Sequence, residues 1–164
     1  GLRFDGRIAE DFKLATGTFV SVGPLRARVT LAGAPCVQDV VVTGLNRDEI
    51  GLLVFPRLDE CRRLAAEPGE PAAATLPVPE LLHTPAVRGF FQQLADRLWR
   101  EGTGSANRPA RLHVLAEPPS IDKGEVTDKG SINQRAVLQH RAALVEAMYE
   151  GRESDPLLIL PRRG

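Results

Sequence analysis

The chain has 164 residues, 43% hydrophobic and 26% charged, which is enough apolar material for one soluble domain with a core of its own. Its 21 basic and 21 acidic residues cancel, which argues against a broad basic face for nucleic acid and leaves room only for a local basic pocket. Apolar runs stay well short of the roughly 20 residues a membrane-spanning helix needs, Cys36 and Cys61 lack metal-ligand spacing, and no signal-peptide pattern is present, so we expect a reduced, cytoplasmic domain without a membrane partner.

In chain order, residues 3–9 (RFDGRIA) and 18–22 (TFVSV) read as short strands separated by a polar stretch ending at Thr16-Gly17. Beyond Gly23-Pro24, Leu25, Val29 and Ala32 recur at helical spacing, with Pro24 suited to the first turn and Gly33 to the stop. CVQDVVVTGL and IGLLVFP, joined by Asn46-Arg47-Asp48, read as an antiparallel pair at the centre of a small sheet. Residues 67–85 hold five prolines and read as a long connector. From Ala86 to Glu101, Val87, Phe90, Phe91, Leu94 and Leu98 mark an amphipathic helix stopped by GTGS. RLHVLAEPP is a third strand. Ile132 to Tyr149 is expected to be one last helix with Val137, Leu138, Ala142, Val145 and Met148 on one face. The tail SDPLLILPRRG is apolar for a chain end and reads as a segment that docks on something, which lends weight to an interaction module. The class is α+β: a small antiparallel or mixed sheet with helices packed on it.

Residue chemistry alone goes little further. GTGSANRP has two glycines but lacks the Lys-Ser/Thr that would hold phosphate and magnesium, and there is no dinucleotide-binding glycine fingerprint. His83, His113 and His140 are scattered without a partner pattern for a metal or a triad.

The segment FDGRIAEDFKLATGTFVSVGPLRARV resembles the junction and first hairpin of the C-terminal domain of adenylate-forming acyl-CoA ligases. Gly6-Arg7, Asp11, Phe12-Lys13, Gly17, Phe19-Val20 and Pro24 take that family's places in order, and Arg26 stands where it usually has an acidic residue. Pro35, Val37, Gly44 and Gly51 continue the likeness, and RLHVLAEPPSIDKGEVTDKGSINQRAVL resembles its closing motif. The likeness runs from residue 4 to about 145, and its wording is closest to feruloyl-CoA synthetase-like members. It implies a hinge and first hairpin over 1–23, a small domain over 24–150 and a tail over 151–164. It also implies a large N-terminal adenylation domain in the same polypeptide. The chain starts without methionine and is read as an excised piece, inactive alone. The implied reaction converts a small carboxylic acid such as ferulate, with ATP and CoA, to acyl-CoA, AMP and pyrophosphate. Mg would be bound outside this domain, which would hold no metal of its own.

The resemblance also implies site residues. In the family a lysine follows the glycine of Thr-x-x-Gly-Lys; with Thr127 and Gly130 in those places, Ser131 takes the lysine's position and the charge has moved to Lys129. If the stretch is extended, residues two apart face the same side, so Lys129 could serve the space at Ser131; in a turn that argument fails. Lys123 lies further out in a loop. Asp11 is implied as the hinge, against an ordinary capping aspartate. Arg7 is implied as a nucleotide contact, against a surface arginine. Thr16, Gly17 and Thr18 are implied as a loop beside the CoA pantetheine, where a glycine lets backbone approach closely, against a plain turn. Lys13 reads as a solvated charge. Two other readings stand beside the ligase: a non-catalytic binding module that kept the fold, and, with little support, nucleic-acid binding through the Arg-rich last helix.

Overall fold

The computed structural model describes residues 10–66, 75–150 and 157–162. A two-stranded hairpin, β1 (Phe12–Lys13) with β2 (Phe19–Val20), leads into helix α1 (Val22–Ala32). Then come β3 (Val37–Thr43), β4 (Gly51–Pro56), α2 (Leu58–Ala66), α3 (Val78–Leu82), α4 (Pro85–Glu101), β5 (Arg111–Val114), α5 (Gln134–His140), α6 (Ala142–Tyr149) and β6 (Leu158–Ile159). The main sheet runs β3-β4-β5-β6, with β4 and β5 parallel and the outer pairs antiparallel. Both its faces are covered. Val40, Val42, Leu52 and Val54 point into one core with α1, α2, α3 and α4, while Val41, Leu53 and Phe55 point into a second with α5 and α6. All six residues of β4 are therefore buried, and its sequence is a continuous apolar run with no alternation.

The α+β class and the β3–β4 pair follow the sequence reading, and four details correct it. First, β3 lies at the edge of the sheet and β4 inside it. Second, α1 begins at Val22, inside the segment read as strand, because the Asp11 carboxylate accepts the Val22 N–H at 2.9 Å and closes the helix start from a distance. Third, α2 and α3 were not anticipated: α2 has Asp59 and Glu60 in its first turn and buries Cys61 and Ala65, four residues apart, and α3 lies within the proline-rich connector. Fourth, the last helix is two. Arg141 leaves helical geometry (φ −109°, ψ 29°) and turns a buried side chain toward Glu125.

The strand expected over residues 3–9 and part of the connector lie outside the described residues. The described part of the tail, residues 157–162, docks on this domain. Leu158 and Ile159 pair with His113 and Leu112, and the Asp96 carboxylate on α4 accepts from the backbone and guanidinium of Arg162.

Candidate functional site

Two tight hairpins of the same build carry the residues in question. In the first, Leu14 N–H donates to Thr18 O at 2.9 Å and Gly17 N–H to Leu14 O at 2.8 Å. In the second, Thr127 N–H donates to Ser131 O at 2.8 Å and Gly130 N–H to Thr127 O at 2.9 Å. Each is a three-residue loop whose last residue is a glycine with positive φ, 90° at Gly17 and 83° at Gly130. Thr16 and Lys129 occupy the same middle position, both exposed. The glycines are there for that backbone angle: a Cβ on either would meet nothing within 4 Å.

The stretch around Lys129 is thus a turn, and the two-apart alternation that would have placed Lys129 and Ser131 on one side does not apply. Ser131 is occupied within the loop, its hydroxyl 2.8 Å from that of Thr127. Ile132 bridges to Val126 across the hairpin and is itself buried in the second core, which ties the loop to the domain.

Lys129 nonetheless faces a defined space. An open concavity of about 1670 Å³ lies between α1, the start of β3, the start of α2 and the 127–132 hairpin. Arg26 and Asp39 line it, as do Arg57, Lys129 and Arg135, which make no ion pair with another described residue. Lys123 is absent from its walls and sits in a separate loop, its N–H donating to Ser120 Oγ. Behind the hairpin Glu125 is fully buried, accepting from Arg141 Nε (2.9 Å) and Nη2 (3.0 Å), Ser120 N–H (2.8 Å) and His140 Nδ1 (2.9 Å). Burial by itself pushes its carboxyl up, but the bonds from Arg141, Ser120 and His140 outweigh that and hold it down to about 2.

The other hairpin stands on the turn that follows β3. Ala15 N–H donates to Arg47 O at 2.8 Å, beyond the Thr43↔Gly51 pair, whereas the Lys129 concavity reaches Val37–Asp39, beside the Val37↔Pro56 pair. The Tyr149 ring lies between the guanidiniums of Arg47 and Arg111, each 4.6 Å from its centre, and its hydroxyl donates to Glu49 O at 2.8 Å. Lys13 is exposed, and Arg7 lies outside the described residues.

Sequence reasoning missed the roles of Arg26, Glu125 and Arg141. Arg26 had stood out only as a departure from a motif, and nothing near Glu125 signalled a buried carboxylate. Among the described residues no three His, Cys, Asp or Glu side chains are grouped as a metal centre, and no helix is long and apolar enough to cross a membrane.

No protein-family model matches the chain, and none of the curated proteins does. Solved structures do. The chain is similar to the A-PCP didomain of carboxylic acid reductase from Segniliparus rugosus in complex with AMP, at 22% identity and TM-score 0.59 over 86% of this chain and 17% of that one. It is similar to the A domain of that enzyme in complex with AMP and a co-purified carboxylic acid, at 22% identity and TM-score 0.59 over 88% of this chain and 20% of that one. The adenylation domain of the carboxylate reductase from Mycobacterium chelonae gives 26% identity and TM-score 0.58, again over 88% and 20%. The chain therefore has the α+β fold of part of an adenylate-forming A domain, and it spans about a fifth of the length of those structures.

Proposed function

We propose that this chain is the mobile C-terminal domain of an ATP-dependent acid–CoA ligase. In the first half-reaction a carboxylate oxygen attacks the α-phosphorus of ATP and pyrophosphate leaves. In the second, the CoA sulfur attacks the carbonyl carbon of the acyl-adenylate and AMP leaves. The observation that carries this reading is a pair of like glycine hairpins in two settings, one bonded to the Arg47 turn that follows β3 and the other bordering the concavity lined by Arg26 and Asp39. A domain built so can present one hairpin to the reactants, rotate, and present the other. The likeness to an A domain that holds AMP and a carboxylic acid supports the adenylate-forming half of this reading.

In this account Lys129 brings a cation to the negative charge developing on the α-phosphate and carboxylate oxygens, where it works best with water excluded. A point charge on a flexible stem suits delivery and withdrawal. Asp11 is the pivot, Thr16, Gly17 and Thr18 flank the pantetheine arm, and Arg7 reaches the nucleotide. ATP, Mg and the acid are held chiefly by an N-terminal adenylation domain of the same polypeptide, in the cytoplasm. An aromatic acid such as ferulate is the substrate favoured by the sequence wording.

The test is to assay the full-length protein with ATP, CoA and a panel of cinnamic, benzoic and fatty acids, beside the 164-residue chain alone. Thioester from the full-length protein and none from the chain is expected. One observation favours a non-catalytic module instead: Ser131 stands where the resemblance expects lysine, with its hydroxyl engaged in the turn. Absence of both adenylate and thioester with every acid would leave that module as the better account.

A further inference from the structure

Arg26 on α1 is the one departure from the resembled motif that the proposed reaction leaves unused. Its side chain is 14% exposed, and it binds three separate segments. Nη1 donates to Glu10 Oε2 at 3.4 Å, and Nη2 donates to both Asp39 oxygens at 3.1 Å and to Ile132 O at 3.3 Å. Glu10 immediately precedes Asp11, and Ile132 closes the hairpin that carries Lys129. Asp11 in turn holds the N–H of Val22, four residues before Arg26 on the same helix. A continuous set of contacts therefore runs from the proposed pivot, along the first turn of α1, to the base of the Lys129 loop.

We propose that Arg26 is a positioning residue, which fixes the Lys129 hairpin for adenylate formation and ties that position to the state of the Glu10–Asp11 segment. This rests on the reading of Lys129 given above. Asp39 and Ile132 belong to the body of the domain and move with Arg26. Glu10 adjoins the pivot, so a rotation at Asp11 alters its contact first, and the fork can then close fully on Asp39 and Ile132. A guanidinium can hold carboxylate and carbonyl partners on several sides at once, which an ammonium cannot do in one fixed geometry. Placement matters because a shift of about 1 Å in a charged group can lower a rate by up to about 10²-fold.

The test compares Arg26→Met, Arg26→Lys, Glu10→Gln and Lys129→Ala in the full-length protein, with the two half-reactions followed separately. Arg26→Met should slow adenylation by about tenfold, within the range that misplacement produces, and leave thioester formation from preformed acyl-adenylate nearly unchanged. Arg26→Lys should recover part of the loss. Hydrogen exchange should quicken at Gly130 and Ser131 in Arg26→Met and stay unchanged in β4. Glu10→Gln, which weakens the Glu10 contact and leaves Arg26 on Asp39 and Ile132, should shift the ratio of the two half-reactions in the opposite direction, toward adenylation, by a smaller factor, and it serves if Arg26→Met fails to fold.

Equal loss in both half-reactions, or unchanged exchange at Gly130 and Ser131, overturns the proposal, and an unchanged ratio in Glu10→Gln overturns its link to the pivot. If Lys129→Ala adenylates normally while Arg26→Met still loosens the hairpin, the function of Lys129 falls and the Arg26 linkage stands. If Lys129→Ala fails and Arg26→Met does not, the Arg26 proposal alone falls.

Discussion

Gln134 lies against Val42 as a neighbouring strand would: its Oε1 accepts the Val42 N–H at 3.0 Å and its Nε2 donates to the Val42 carbonyl at 2.8 Å. One side-chain amide thus closes the outer edge of β3 at Val42, where no described strand pairs with it. Gln134 is also the first residue of α5, two beyond Ile132, so the same contact seats the Lys129 hairpin against the sheet.

Replacing Gln134 by Met keeps the volume and leaves both Val42 groups buried without that partner. The expected loss is about 2–4 kcal/mol, the scale of orphaning two buried polar groups. Urea denaturation of the chain measures it, and a change under about 0.5 kcal/mol, typical of a surface substitution, would show that the edge does not need this amide.

Glu125 makes the domain acid-sensitive. Its carboxyl is held at about 2 in the fold against an ordinary 4.5, so its contribution is complete above about 4.5 and is lost as pH falls toward 2. That difference corresponds to on the order of 3 kcal/mol. Glu125→Gln should be less stable at pH 7, because Arg141 loses its charge partner, and its stability should fall less steeply between pH 4.5 and 2. Parallel stability–pH curves for the two proteins would contradict the network.

Asp11 has a structural duty beside its proposed role as pivot, and the two are separable. Asp11→Ala removes the bond to Val22 N–H and should cost about 1 kcal/mol of stability, as loss of a helix cap does. Asp11→Pro removes it too and also fixes φ near −65°. In the full-length protein the proline variant should impair one half-reaction far more than the other, and the alanine variant should impair neither selectively. Equal effects of the two substitutions would assign Asp11 to capping alone.

How legible the molecule was depends on how far apart the interacting residues lie. The β3–β4 hairpin could be read because its apolar runs and turn are local, yet the run in β4 could not say which faces are covered, since both are. The start and stop of α4 were readable from its apolar spacing and GTGS. The break at Arg141 was not. Apolar spacing continues across it, and what pulls the residue out of the helix is a carboxylate 16 positions earlier. The partners of Arg26 lie 16, 13 and 106 positions away, so its role has no local signature. The two glycine hairpins were within reach, since Ala15-Thr16-Gly17 and Asp128-Lys129-Gly130 are both three-residue loops ending in glycine.

The most direct test of the account is the adenylation half-reaction of full-length Lys129→Ala beside Lys123→Ala. Lys129 lines the concavity and Lys123 does not, though both are exposed loop lysines. Loss of one oriented charge should slow acyl-adenylate formation by on the order of 10²-fold in Lys129→Ala, with thioester formation from preformed adenylate nearly normal and Lys123→Ala close to wild type throughout. Wild-type adenylation by both variants would contradict the account and leave Lys129 a solvated residue at the tip of a turn.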